Sequence, residues 1–443
     1  MKSICIIFQV HQPFRLRTYR FFDIGHKHDY FDDYSNRFAM LNAAEKSYLP
    51  ANALLLELIE RHGKKLKISF SISGTALEQF LKYTPDVLTG FQALAKTGCV
   101  EFLAETYSHS LASLKSPSEF ERQVKKHQRK IEELFGMKPT TFSNTELIYS
   151  DAIGEMVYNL GFRTMITEGA KHVLGWKSPN FLYCSAVQPK LKLMLRSFQL
   201  SDDISFRFSE QRWSEWPLTA DKFAGWINAL KPNEELVNLF LNYETLGQNQ
   251  WAETGIFEFL SAFVSKIIKE GKHRFYTPTE ISSKHQPISG LHVPYPISWT
   301  DEERDLTTWL GNELQKEAFD KLFNIGEIVR NCANPDIFSD WEKLQSSDHL
   351  NYMSTKWFSD GIVGQKNNPY NSPYDAFINY MNVVSDLNVR LDKLNHTIGS
   401  KERNAEESAK SKSSPTSKKI GKKAEKPLKK PVKTASSSKA PKA

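Results

Sequence analysis

The chain opens with an unbroken apolar run, SICIIFQV (Ser3–Val10), short enough for a strand buried on both faces. Apolar residues then take up helical spacing over Ala51–Arg61, with Gly63 as the stop. KLKISFSIS (65–73) alternates with the two-residue period of a strand, and CVEFLAE after Gly98 supplies the next. Ser116-Pro117-Ser118-Glu119 forms a helix start: a Ser cap, Pro at the first helical position and Glu at the third. That helix should run to Phe135 and end at Gly136. TTFSNTEL (140–147) predicts a strand, followed by a helix from Ser150 to Leu160 closed by Gly161. TMITEG, LKLMLRSF and LVNLFLNYE predict three further strands, with a helix behind the last. From Asp301 onward the pattern turns helical, most clearly over Glu302–Val329 and Tyr374–Leu394.

Strands alternating with helices over roughly 260 residues predict an α/β protein with a parallel sheet, and this length favours a β/α barrel. The expected division is a barrel over residues 1–300, a helical C-terminal domain over 301–399 and a Lys-rich tail over 400–443. The tail consists of Lys, Ser, Ala and Pro with almost no large apolar residue, so it is expected to be disordered.

Charge sharpens that division. The net charge is +7, yet residues 401–443 hold 13 Lys and one Arg against four Glu. The other 400 residues therefore carry 44 basic and 47 acidic side chains, a nearly neutral body. No aromatic residue is interleaved in the tail for base stacking, so it reads as a solubilising extension rather than a nucleic-acid element. Cys5, Cys99, Cys184 and Cys332 form no C-x-x-C pair, which points away from zinc fingers and redox motifs and towards reduced thiols in a cytoplasmic protein. The N-terminal apolar run is too short for a signal peptide, and no stretch is long and apolar enough for a membrane span.

The working residues of a β/α barrel gather at the C-terminal ends of its strands. Those positions here offer His11 and Gln12; Glu101, Glu105, Tyr107 and His109; Glu146; and Asn242, Glu244 and Trp251. Asp348, His349 and Trp357 follow in the helical region. Carboxylates, imidazoles, amides and rings together suit a sugar, whose hydroxyls take hydrogen bonds and whose apolar faces stack on aromatics. Singly, each has a plainer reading. His11 fits a structural histidine, Glu105 and His109 an i,i+4 surface pair, Glu146 a helix N-terminus and Asp348-His349 a turn.

The strings VHQP, VEFLAETYSHSLA, NTELIYS, NYETLGQNQW and SDHLNYMSTKW resemble the five ordered motifs of glycoside hydrolase family 57, in its α-amylase branch. WSEWPLTADKF and SWTDEERDLTTWLGN are similar to that branch too, and the resemblance spans roughly residues 1 to 390. It implies an incomplete (β/α)7 barrel followed by a helical bundle. It also implies retaining action on α-glucans such as starch, glycogen or maltooligosaccharides, without a metal or other cofactor. By the same resemblance Glu146 is the nucleophile, and Asn242 occupies the position of the acid/base Asp. His11 and Glu101 match family residues that line the sugar subsite and Asp348 a carboxylate of the last motif; Gln12, Glu105, His109, Glu244, Trp251 and His349 complete the expected sugar contacts. Ser143 stands where the branch usually has Arg, and Ser108 where it has Tyr.

Asn is nearly isosteric with Asp but has no proton to deliver, and positioned acid–base catalysis is worth ~10²–10⁴ in rate. Two readings follow. One is an α-amylase or 4-α-glucanotransferase of reduced rate in which another carboxylate serves, with Glu244 and Asp348 ahead of Asp202 and Asp203. The other is a silent α-glucan-binding or regulatory protein on an amylase fold. The sequence says nothing of oligomeric state.

Overall fold

The computed structural model describes residues 1–356 and 368–411, with side chains up to residue 394. Trp357 and residues 412–443 of the basic tail lie outside the described residues.

Eight strands frame the site: β1 (Ser3–Val10), β2 (Ile68–Ile72), β3 (Val100–Phe102), β4 (Thr141–Ser143), β5 (Thr164–Glu168), β6 (Leu182–Ser185), β7 (Lys192–Arg196) and β8 (Leu236–Asn242). β1 is buried throughout and pairs in parallel with both β8 and β2, with Gln9 opposite Asn242 and Ile7 opposite Ser69. β2 pairs with β3, and β4, β5 and β7 form a second parallel group. Two seams join the groups into a seven-stranded barrel. Just beyond β3, the Ala104 N–H donates to the Thr141 carbonyl at 2.9 Å and its carbonyl accepts from Ser143 N–H at 2.8 Å. At the other seam β6 runs antiparallel along β7, so β8 meets only the end of β7. There the Ser197 N–H donates to the Asn238 carbonyl at 2.8 Å, and the Asn238 amide donates to the Leu195 carbonyl at 2.9 Å. The α/β class and the (β/α)7 barrel expected from sequence are both found.

The helix expected after Ser116 spans Pro117–Phe135, with the Ser116 hydroxyl accepting from Glu119 N–H and Gly136 ending it at φ 67°. The strand expected over 140–147 stops at Ser143, because Glu146 and Leu147 take left-handed backbone conformations that no strand accommodates. The helix expected over 302–329 is three: Thr307–Leu310, Glu313–Asn324 and Gly326–Asn331. Asn312 caps the second, and a Cβ at Gly326 would lie 2.8 Å from the Trp341 ring.

Barrel and C-terminal helices share one core. Phe142, Met165 and Leu193 of the barrel belong to the same buried cluster as Trp309, Leu322, Trp341 and Val383. Met1–Asp392 accordingly forms one compact unit across the expected 300/301 boundary. The last helix, Pro373–Ser411, continues past Gly399, where the sequence reading ends the folded part; Glu, Ala, Lys and Arg at 401–410 are good helix formers. Among the described residues no helix is long and apolar enough to cross a membrane.

Candidate active site

Two-residue strand periodicity builds the site in layers. Cys5, Ile7, Leu103, Ile166, Met194 and Phe240 make a buried apolar cluster. Two residues further along the same segments stand Gln9, Glu105, Glu168, Arg196 and Asn242. A dry layer thus underlies a polar one at the C-terminal end of the barrel, where chemistry is expected.

His109 organises the polar layer. Its Nδ1 lies 3.0 Å from Glu105 Oε2 and its Nε2 3.3 Å from Glu146 Oε1. Burial alone would lower the His109 pKa, but bonds to these two carboxylates raise it to about 10, so the ring is an imidazolium donating to both. Glu105 is 1% exposed; its burial cost is outweighed by the His109 cation, which holds it below the usual carboxylate range. Gln9 Nε2 donates to it at 3.2 Å and the Ser71 hydroxyl at 2.9 Å. The Glu105–His109 pair is therefore interior, not a surface pair. His109 (φ 52°) and Glu146 (φ 56°) both adopt the left-handed region, a cost of ~1–3 kcal/mol each that is common at functional sites.

Glu146 is gripped from three sides. Besides His109, the Trp299 indole N–H donates to Oε2 at 2.6 Å and the Ser347 hydroxyl to Oε1 at 3.4 Å. The His11 ring stacks on His109 with centroids 4.0 Å apart. Burial beside this cation keeps His11 neutral at neutral pH. Its Nε2–H then donates to Asp348 Oδ2 at 2.7 Å, and its Nδ1 accepts from the Ser73 hydroxyl at 2.8 Å. Burial disfavours the Asp348 carboxylate, yet His11 and the Ser346 hydroxyl hold it well below the usual range, so it stays ionised. Gln12 donates to Tyr48 and to Glu244 Oε1, both at 3.2 Å, and the Tyr48 hydroxyl bonds the same carboxyl oxygen. Burial raises the pKa of Glu244. Asn242 ends β8 opposite Gln9, and its side-chain amide has no hydrogen-bond partner among the described residues.

Three expected sugar contacts stand apart. Glu101 faces inward on β3 but four residues before Glu105, about 13 Å lower along the strand. It accepts from the Thr141 and Thr279 hydroxyls and from Thr279 N–H at the N-terminus of helix Pro278–Lys284, a structural role. Trp251 is 66% exposed and bonds to no member of the cluster. His349 is turned from Asp348 into the helical core against Tyr380, where burial lowers its pKa to about 4 and leaves it neutral.

Sequence reasoning missed Trp299. It lies in a loop without periodicity, and its only signal was an aromatic residue inside a motif-like stretch. The ring packs edge-on against Phe240, 5.5 Å between centroids, and the Arg196 guanidinium lies 5.2 Å from it. Arg196 is 1% exposed and pairs with Glu168 and Asp202; Arg304 also bonds Asp202, at 3.1 Å. Burial raises the Glu168 pKa to about 7, against the pull of Arg196 and Arg304. Ser143 and Ser108, which with Asn242 are the departures from the resembled motifs, are buried with hydroxyls that find no partner among the described residues.

The arrangement presents one oriented carboxylate, Glu146, beside an imidazolium and facing polar groups from several strand ends, as nucleophilic catalysis at an acetal carbon needs. A "Putative alpha-amylase" of Methanocaldococcus jannaschii is 39% identical over 403 residues, 87% of this chain and 84% of that protein. The branching enzyme of Pyrococcus horikoshii, described as of the GH57 type, superposes with a TM-score of 0.62 at 14% identity, over 86% of this chain and 88% of that one. The 4-alpha-glucanotransferase of Thermococcus litoralis gives 0.60 at 15% identity over 86% of this chain, which spans 59% of that enzyme's length. Residues 5–354 match the pattern of glycosyl hydrolase family 57, and the chain belongs to that family.

Proposed function

We propose that this chain acts on α-glucans as an α-amylase-like retaining protein whose turnover is held down by Asn242. The observation that carries this reading is the Glu146 carboxylate, fixed by Trp299, His109 and Ser347 at the end of a barrel strand. In a retaining mechanism such a carboxylate attacks the anomeric carbon while a second group, about 5–5.5 Å away, protonates the departing oxygen and later activates water. Asn242 can donate an N–H bond to the glycosidic oxygen but cannot transfer a proton, so the first step loses its general acid and the second its base. Of the other carboxyls, Asp348 is held ionised and Asp202 is paired with two arginines. Burial raises the pKa of Glu244, as it does for Glu168 and Asp203, but those two are paired with Arg196 and Arg207. Glu244, two residues from Asn242, has no cationic partner among the described residues, and we assign residual proton delivery to it. The four free cysteines fit a reducing cytoplasm.

A second reading, a silent glucan-binding protein, is favoured by the Asn242 amide, which has no hydrogen-bond partner among the described residues and carries no charge at the end of β8, free to bond a sugar hydroxyl without transferring a proton. Incubation of the full chain with maltoheptaose separates the two. Shorter or longer products that disappear in Glu146→Gln support turnover; bound but intact maltoheptaose supports the silent binder. Failure to bind maltoheptaose at all overturns both.

A further inference from the structure

A cavity of about 710 Å³ opens beside the seam between β7 and β8, within the ~300–1,000 Å³ range of small-molecule sites. Its walls come from the segment after β5 (Lys171–Asn180), the segment after β7 (Ser197–Arg207) and helix Ala220–Ala229. None of the residues that hydrogen-bond Glu146 lines it.

The chemistry of the lining is specific. Phe198, Trp213 and Trp226 supply three rings, and the two indoles meet edge to face, 6.0 Å between centroids at 70°. Asn180, Gln199 and Asp203 provide polar groups around them. Of the charged groups, Arg207 pairs with Asp203 and Glu215 with Lys222 at 3.5 Å, while Lys171 and Lys177 meet neutral groups. Lys177 lies 3.5 Å from the Ser289 hydroxyl, and Lys171 sits over the Phe198 ring at 5.4 Å. Trp176 and Phe206 each adjoin a lining residue in sequence and are 92% and 72% exposed. A corner of aromatic faces edged by amides, an internal ion pair and the ammonium donors of Lys171 and Lys177 matches a pyranose, which stacks its C–H face and bonds its hydroxyls at the rim. A free phosphate would instead need unpaired cations converging on one point.

We propose that this cavity is a second α-glucan-binding site, lined by residues other than those that hold Glu146, and that it takes a segment of the same polymer. It rests on the glucan reading of the protein. The test is calorimetric titration of the full chain with maltoheptaose in a Glu146→Gln background, which prevents turnover. Two binding events per chain are expected. Trp213→Ala should weaken one at least tenfold and leave the other. Because Trp213 packs on the core, Gln199→Trp serves as a second variant: Gln199 is exposed, and the larger ring closes the mouth without removing packing. A single event unchanged in both folded variants would overturn the second site while leaving the cleft reading intact. So would displacement of phosphate, but not maltoheptaose, by Gln199→Trp. Absence of any maltoheptaose binding would sink both.

Discussion

Trp299 holds Glu146 twice: its indole N–H donates to the carboxylate at 2.6 Å, and its backbone N–H donates to the Glu146 carbonyl at 3.2 Å. The second bond fixes a left-handed backbone and the first aims the side chain. Trp299→Phe keeps the aromatic contact with Phe240 and deletes only the indole donor. A bond to a charged group contributes ~1.5–3 kcal/mol, or about ten- to hundredfold in rate. We expect that loss in kcat on maltoheptaose in an Asn242→Asp background, with a thermal midpoint close to the parent. An unchanged kcat would show that His109 and Ser347 suffice to position Glu146.

His109 makes stability depend on pH with a definite sign. Its pKa is raised from 6.5 to about 10, so its stabilisation is complete below about pH 6.5 and is lost as pH rises towards 10. Glu105 is shifted the other way, so its contribution is present above about pH 4.5 and is lost as pH falls below that value. The midpoint difference between wild type and His109→Gln should therefore be largest between about pH 5 and 6.5 and shrink steadily by pH 9.5. A difference constant over that range would mean His109 is not the cation between Glu105 and Glu146.

How far the sequence spoke differs from residue to residue. Helix Pro117–Phe135 was legible because both its ends carry local chemistry, a Ser cap with Pro behind it and a terminal Gly. His11, Glu105, His109 and Glu146 were legible because strand ends are where a barrel keeps its polar groups, and the structure brings all four together. Glu101 misled because strand parity gives direction but not depth: it faces inward like Glu105, one full layer lower. His349 misled because adjacency to Asp348 on a short helix sends the two side chains different ways. Trp299 was silent because a loop has no period, and only tertiary contact reveals its bond to Glu146. The single core shared by barrel and helices was equally hidden, since no local pattern says which apolar faces meet.

Glu244 carries the prediction that separates residual chemistry from binding. Its carboxyl accepts from Gln12 and Tyr48, and burial favours its protonated form. Glu244→Gln preserves shape and hydrogen bonding but removes the proton. Hydrolysis by the otherwise wild-type chain should fall at least tenfold in kcat, with KM within about threefold. A raised KM with kcat intact would reassign Glu244 to substrate contact alone.

Asn242 is where the account is most exposed. With Glu146 already oriented, restoring one carboxyl at the end of β8 should return the missing acid and base together. The deciding measurement is kcat/KM on maltoheptaose for wild type, Asn242→Asp and the Asn242→Asp/Glu146→Gln double variant, each confirmed folded. The account predicts a gain of ~10²–10⁴ in Asn242→Asp, abolished in the double variant. A folded Asn242→Asp chain no faster than wild type would contradict it.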